Sequence, residues 1–192
     1  EEEGINLIPD SEKLTISDSL YYIGNAVFNK LIALKEVVMN PYSVIIEQDS
    51  FKNSSLLTHF TFSESLNMTK QFNFNIFNNV TKITIPNSIR KIGEGSFRDC
   101  WLVEQINIPD SVVSIEKEAF KGCKRINQIT IPASVTSIGS GTFCNCESLE
   151  RIEIQSKLKS IENDLFNNCT KLKQIIIPET VSYIGSGSFS HC

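Results

Sequence analysis

The chain has 192 residues, 41% hydrophobic and 21% charged, which is typical of a folded domain and not of a disordered one. The net charge is −4 and no lysine- or arginine-rich run interrupts the sequence, so we predict no nucleic-acid partner. The longest apolar stretches, such as 175–178, are too short to cross a bilayer, and we predict no membrane insertion by this chain.

A 23-residue repeat runs through the sequence. Phenylalanine recurs every 23 residues from Phe28 to Phe189. We call a set of equivalent positions in successive repeats a column, and four further columns keep the same spacing. Apolar residues stand 14 and 12 positions before each of these phenylalanines. Isoleucine stands 5 positions before the phenylalanine in seven of eight repeats, and cysteine stands 3 positions after it in five. One repeat cannot bury its own apolar side chains, whereas stacked repeats can bury them against each other. The sequence therefore predicts a solenoid of about eight coils.

Each coil is predicted to contain the same elements in the same order, as the repeat that begins at Ile129 illustrates. Ile129 and Ile131 flank a polar residue, which is the period of a strand, and Pro132 ends that strand. A second apolar pair leads to Gly139, which we interpret as a turn glycine with a left-handed backbone. The segment up to Phe143 is predicted to form one turn of helix or 3-10 helix. The glycines equivalent to Gly139 are Gly24, Gly93 and Gly185.

Strands from successive coils are expected to pair in parallel, about 4.8 Å apart, on the concave side. The predicted fold class is therefore α/β but mostly β. We find no linker, low-complexity tract or change of composition, so we predict one domain over 1–192.

Residues 36–79 keep the phenylalanine spacing but lose other features of the repeat. Ser43 and Thr69 replace aliphatic residues, Ser54 stands in the cysteine column, and Phe72 falls in a column of glycine and polar residues. These departures indicate either repeat drift with a repacked core or a patch adapted to a partner. A later repeat carries Gln155 where the others have proline.

The cysteines and histidines do not form a catalytic or metal-binding pattern. Five cysteines share the repeat column, and one residue per coil does not make a tetrahedral metal cage, so we predict free buried thiols and no metal or cofactor. Cys144 lies in a polar column and is expected to be exposed, either as a reactive thiol or as an inert surface cysteine. His59 and His191 have no catalytic partners in the pattern, and we predict that the protein is not an enzyme.

The outward positions of the predicted strands are the candidate partner-binding residues. They vary in size and can form hydrogen bonds, which suits protein recognition on a rigid scaffold, although a solvated sheet face would show the same pattern. Trp101 is the single tryptophan and is expected to be partly exposed, either as an interface anchor or lying flat on its own coil. The candidate strand positions are Lys82, Thr84, Gln105, Asn107, Gln128, Thr130, Arg151 and Glu153.

The repeat resembles the leucine-rich repeat family. The segment Leu149-x-x-Ile152-x-Ile154 matches the strand signature of that family, and the pattern that runs from Ile129 through Pro132 to Leu149 is similar to the Treponema-type, BspA-like surface proteins. This resemblance implies a right-handed solenoid that binds proteins, often on microbial surfaces, and it supplies no catalytic residues.

We therefore expect a protein-binding or adhesion module of a microbial surface protein, with an intracellular scaffold or regulatory interaction protein as the alternative. The expected location is the cell surface or the extracellular space, and the alternative is the cytoplasm. The last repeat ends at Cys192, so no further coil covers its apolar ladder. We expect either further repeats in the parent protein or end-to-end self-association. The uncovered residues are Ile175, Ile177, Val181, Ile184 and Phe189.

Overall fold

The computed structural model describes residues 10–25, 27–40, 45–47, 50–51, 53–63 and 79–192. The strands of these segments are short and recur with the repeat. In chain order they are β1 (Lys13–Thr15), β2 (Tyr22–Ile23), β3 (Glu36–Met39), β4 (Ile45–Ile46), β5 (His59–Phe62), β6 (Lys82–Thr84), β7 (Lys91–Ile92), β8 (Gln105–Asn107), β9 (Ser114–Ile115), β10 (Gln128–Ile131), β11 (Ser137–Ile138), β12 (Arg151–Ile154), β13 (Ser160–Ile161) and β14 (Tyr183–Ile184).

The predicted parallel ladder is confirmed. Strands β1, β3, β5, β6 and β8 form one sheet in that order, and β10 pairs with β12. Where residues of this ladder pair, the partner is 23 positions later, as Gln105 is for Lys82. An isolated bridge joins Arg151 to Gln174 with the same spacing. No strand pairing joins β8 to β10, so the hydrogen-bonded sheet is interrupted at this point. The fold is a mostly-β parallel solenoid with the predicted period.

A second ladder of two-residue strands, which the sequence analysis did not predict, forms at the second apolar pair in the described coils. Strand β2 pairs with β4, β7 with β9 and β9 with β11, and β13 with β14, all in parallel. The ladder is divided between β11 and β13. The repeat with Gln155 lies at this division. Proline carbonyls at the equivalent corners accept a hydrogen bond from the residue three positions on, as Pro132 does from Val135 at 3.1 Å.

The third side of the coil is built from turns, and the described residues contain no helix, so the prediction of a helical segment is wrong. The Phe120 N–H donates to the Thr142 carbonyl at 3.0 Å, and the Gly122 N–H donates to the Cys144 carbonyl at 2.8 Å, each in the next coil. From residue 95 onward, two residues per coil on this side, four positions apart, have positive φ, as Glu118 does at 55° and Gly122 at 74°. The N–H groups of this side reach the neighbouring coil and do not close a helix. Two columns carry this conformation: Gly95, Glu118, Gly141, Asp164 and Gly187, and Asp99, Gly122, Asn145, Asn168 and His191.

Gly139 does not adopt the left-handed conformation that the sequence analysis assigned to it, and neither does its equivalent Gly185. The structure shows another reason for glycine there. A Cβ atom on Gly139 would lie 2.3 Å from the backbone nitrogen of Lys117, and one on Gly185 would lie 2.5 Å from that of Asn163. The glycine is required because the preceding coil passes too close for any side chain.

The core is a stack of phenylalanine rings. The centroids of Phe120 and Phe143 lie 5.6 Å apart with parallel planes, and those of Phe143 and Phe166 lie 5.7 Å apart. The hydroxyl of Thr142, next to this stack, lies 2.7 Å from the Gly139 carbonyl and 3.1 Å from the Glu116 carbonyl of the preceding coil. The buried polar group is therefore satisfied and joins two coils.

The looser repeats also contribute to the core where the structure describes them. Phe60 and Phe62 of β5 are buried, and the Phe62 ring packs edge-on against Phe97 with centroids 5.8 Å apart. Larger rings thus fill the ladder where the other coils have isoleucine. Ser54 is buried in the cysteine column. The departures at Ser43, Thr69 and Phe72 lie outside the described residues.

Candidate protein-binding face

The strand face is the outward side of β6, β8, β10 and β12. Alternate side chains of a strand point to opposite sides of its sheet, so Ile83, Ile106, Ile129 and Ile152 enter the core. The intervening residues are exposed in every case. The residues of this strand face are Lys82, Thr84, Gln105, Asn107, Gln128, Thr130, Arg151 and Glu153.

Two depressions open on the strand face. The first, of about 370 Å³, brings together five of the predicted residues, and the second, of about 590 Å³, includes two more. Thr130 lines neither of these depressions. The predicted residues of the first depression are Lys82, Thr84, Gln105, Asn107 and Gln128. Those of the second are Arg151 and Glu153.

The outward side chains of the first three coils bind one another. The Lys13 Nζ lies 3.2 Å from a carboxylate oxygen of Glu36, and the Thr61 hydroxyl donates to the other oxygen at 2.7 Å. Partial burial of Glu36 favours its neutral form, but the hydrogen bonds from Thr61 and Lys13 outweigh this effect and lower the pKa of the carboxyl group. These polar groups are already satisfied within the protein.

The next coils differ, because their outward side chains have few internal partners. Among the described residues, the side chains of Lys82, Gln105, Gln128 and Arg151 make no hydrogen bond or ion pair. Of the strand-face residues, only Glu153 has such a bond, at 2.9 Å from the Gln155 amide nitrogen. This part of the ladder presents donors and acceptors that only water or a partner can satisfy.

Trp101 is 51% exposed and lies in the turn before β8. It lines neither depression, so the structure does not bring it together with the residues of the strand face. Its role as an interface anchor stays a prediction, as does the alternative that the ring lies on its own coil.

The family model for the BspA type leucine-rich repeat region matches residues 8–104 and 92–192 in six copies. The chain belongs to the BspA-type leucine-rich repeat family. This family is a repeat scaffold, and no catalytic family is indicated. The comparison with curated proteins finds no significant match.

Solved structures of bacterial leucine-rich repeat proteins share this fold. A leucine-rich repeat protein from Bacteroides ovatus is 28% identical with a TM-score of 0.63, and the match covers 93% of this chain and 43% of that one. This chain thus spans less than half of the B. ovatus protein. The T. pallidum leucine-rich repeat protein is 21% identical with a TM-score of 0.63, over 95% of this chain and 77% of that one. A leucine-rich cell surface protein from Faecalibacterium prausnitzii is 22% identical with a TM-score of 0.50, over 94% and 67%.

The cysteine column of this repeat protein consists of free thiols, and Cys100, Cys123, Cys146 and Cys169 are buried. Each thiol from Cys123 onward donates to the carbonyl of the phenylalanine in the preceding coil, as Cys146 Sγ does to Phe120 at 3.3 Å. Burial raises the pKa of Cys169 to about 12 and that of Cys146 well above its usual range. The thiols of Cys146 and Cys169 are therefore protonated and act as packing.

Cys144 is half-buried, so the expectation that it is exposed is wrong. Burial raises its pKa, although the nearby Lys121 partly opposes this effect. The polar residues of its column predicted exposure, but charged side chains of this column bind a residue of a neighbouring column and do not extend into solvent, as Arg98 and Lys121 do with Glu118. Arg98, Lys121 and Asn167 in the same column are also only partly exposed.

We expect the thiols to differ in their reaction with a bulky alkylating reagent under native conditions. Cys144 and Cys192 should react first, because Cys192 is exposed and Cys144 is half-buried, while Cys123 and Cys146 should be protected until the chain unfolds. Mass spectrometry of peptides after timed labelling measures the order. Labelling of Cys146 as fast as Cys144 would contradict the buried column, and labelling of all six thiols in denaturant is the control.

The described residues contain no cluster of three or more histidine, cysteine or acidic side chains that could hold a metal ion. That part of the chain also contains no helix that is long and apolar enough to cross a membrane. The strand face is thus the candidate site that the geometry supports best.

Proposed function

We propose that this chain, 1–192, is a single non-enzymatic repeat domain that binds a protein partner on the strand face. One observation supports this proposal above the others: Lys82, Gln105, Gln128 and Arg151 stand in one exposed column and have no partner within the described structure. A rigid ladder presents such groups with little loss of entropy on binding.

We propose the surface of a microbial cell, or the extracellular space, as the location of this module, where it acts in adhesion. The F. prausnitzii protein of the same fold is described as a cell surface protein, which supports this placement. The free buried thiols favour the alternative, an intracellular interaction protein, because oxidising compartments favour disulfides. A signal peptide or an anchor in the whole gene product would support the surface placement, and a cytosolic fractionation pattern would support the alternative.

Selection from a random peptide display library tests the binding face. We expect peptides that enrich on the wild-type chain to lose at least about tenfold in affinity for a Gln105→Ala/Gln128→Ala variant, because the two amides at the centre of the strand face would no longer form hydrogen bonds with them. Ser137→Ala, on the exposed side of β11, is the matched control and should bind normally. Equal binding of the enriched peptides to all three proteins would contradict the proposed face.

We also propose that the apolar side chains of the last coil are covered, either by further repeats of the parent protein or by a second copy of this chain. Ile177 is 37% exposed and Ile184 is 52% exposed, whereas Ile161, in the same column as Ile184, is buried. Val181 and Phe189 are only partly buried. Covering these side chains would contribute about 25 cal/mol per Å² of apolar surface before the costs of association.

Sedimentation velocity over a range of concentrations tests this association. We expect a concentration-dependent dimer or longer assembly that Ile177→Asp/Val181→Asp abolishes, because a carboxylate would have to be buried without a partner. Val113→Asp is the control, since Val113 is exposed but lies in a middle coil, away from both ends of the stack. A monomeric wild-type chain at high concentration would exclude end-to-end association, and the display selection would still test the strand face separately.

A further inference from the structure

We propose that the strand face recognises an extended acidic segment of its partner, with two carboxylates about four residues apart, one at Lys82 and one at Arg151. This inference rests on the proposed function and adds the chemistry of the partner to it.

The two cations stand three coils apart in one column, with Gln105 and Gln128 between them. Lys82 pairs in register with Gln105, and Gln128 pairs in register with Arg151. Three steps between neighbouring coils separate the cations, which is roughly 15 Å when every step, including the one from β8 to β10 where the hydrogen-bonded sheet is divided, is taken at the usual strand spacing. Both residues are exposed, and each lines one of the two depressions on this face.

The acidic residues around this column are already engaged. Glu104 pairs with Arg125 at 3.5 Å, and Glu150 pairs with Lys173 at 2.7 Å. Glu153 accepts a hydrogen bond from Gln155. Lys82 and Arg151 have no such partner among the described residues. Lys82 and Arg151 are thus available to pair with carboxylates of a partner, although Glu153, which is bonded to a neutral amide, keeps its negative charge on the same face as Arg151.

The side chains between the cations suit a polypeptide backbone. Gln105 and Gln128 each carry an amide that donates and accepts hydrogen bonds, and neither makes one within the described structure. A peptide that crosses the strands would present N–H and C=O groups to these amides. An extended chain rises about 3.4 Å per residue, so four residues span the distance between Lys82 and Arg151.

Two synthetic peptides of the same composition test this inference. Both contain serine, threonine and two glutamates, which are either four residues apart or adjacent. At about 10 mM ionic strength, where screening is weak, fluorescence anisotropy should show roughly three- to fivefold tighter binding of the peptide with separated glutamates. Lys82→Gln and Arg151→Gln should each remove this difference, since only one carboxylate can then be paired.

Lys159→Gln is the matched control, because it makes the same change of charge at an exposed position next to β13 and off the strand face. It should keep the preference for separated glutamates. Equal affinity for the two peptides, or a preference that survives Lys82→Gln, would overturn the inference. Tighter binding of a sulfated oligosaccharide than of either peptide, through the same two cations, would also overturn it and assign the face to polyanionic glycans.

The display selection separates failure of this inference from failure of the proposed function. Enriched peptides that depend on Gln105 and Gln128 but lack spaced acidic residues would leave the strand face as the binding site and exclude the acidic partner. If no enriched peptide depends on these two glutamines, both the strand face as the binding site and the acidic partner are excluded.

Discussion

Phe143→Ala is expected to lower the free energy of unfolding by about 3–5 kcal/mol. The Phe143 ring is buried and stacks between Phe120 and Phe166, with centroid distances of 5.6 and 5.7 Å. Its removal leaves a cavity in the middle of the stack that neighbouring rings cannot fill, because strand and turn hydrogen bonds hold the coils at their spacing. Denaturant unfolding monitored by circular dichroism measures the change.

Phe189→Ala is the control for this substitution. Phe189 stacks on Phe166 alone, with centroids 5.5 Å apart, and is only partly buried, so its loss should cost clearly less. An unfolding midpoint for Phe143→Ala that equals the wild-type value would contradict the stacked core.

Gly139→Ala is expected to destabilise the protein by about 2–3 kcal/mol, although it adds a single methyl group. That methyl carbon would lie 2.3 Å from the backbone nitrogen of Lys117 and 2.7 Å from its Cα, so the backbones of two coils would have to move apart. The movement would also strain the hydrogen bond from the Gly139 N–H to the Ile115 carbonyl, now 2.8 Å long. Thermal unfolding monitored by circular dichroism should show a clear decrease in Tm.

Gly24→Ala is the matched control at the equivalent position of the first coil. The nearest atom to an added Cβ there is the Tyr22 ring at 3.5 Å, which is ordinary van der Waals contact. This variant should unfold close to wild type. If Gly139→Ala were as stable as Gly24→Ala, the close approach of the coils at Lys117 would be wrong.

The sequence by itself determined which residues form the core and which form the strand face. Period-two alternation sends Ile129 inward and Thr130 outward, and the 23-residue spacing places equivalent residues in register in adjacent coils. The alternation is local and the spacing is regular along the chain, so both can be recognised without knowledge of the tertiary structure. The buried phenylalanine and cysteine columns follow from the same periodicity.

The tertiary structure alone decided how the coils touch each other. The second ladder, the positive φ values of the third side and the reason for glycine at 139 all depend on the distance between neighbouring coils, which the pattern within one repeat does not specify. The burial of Cys144 has the same origin. So does the difference between Lys13, which is paired with Glu36, and Lys82, which forms no ion pair with any described residue. Ion pairs form between side chains of adjacent coils and depend on which residues those coils bring together.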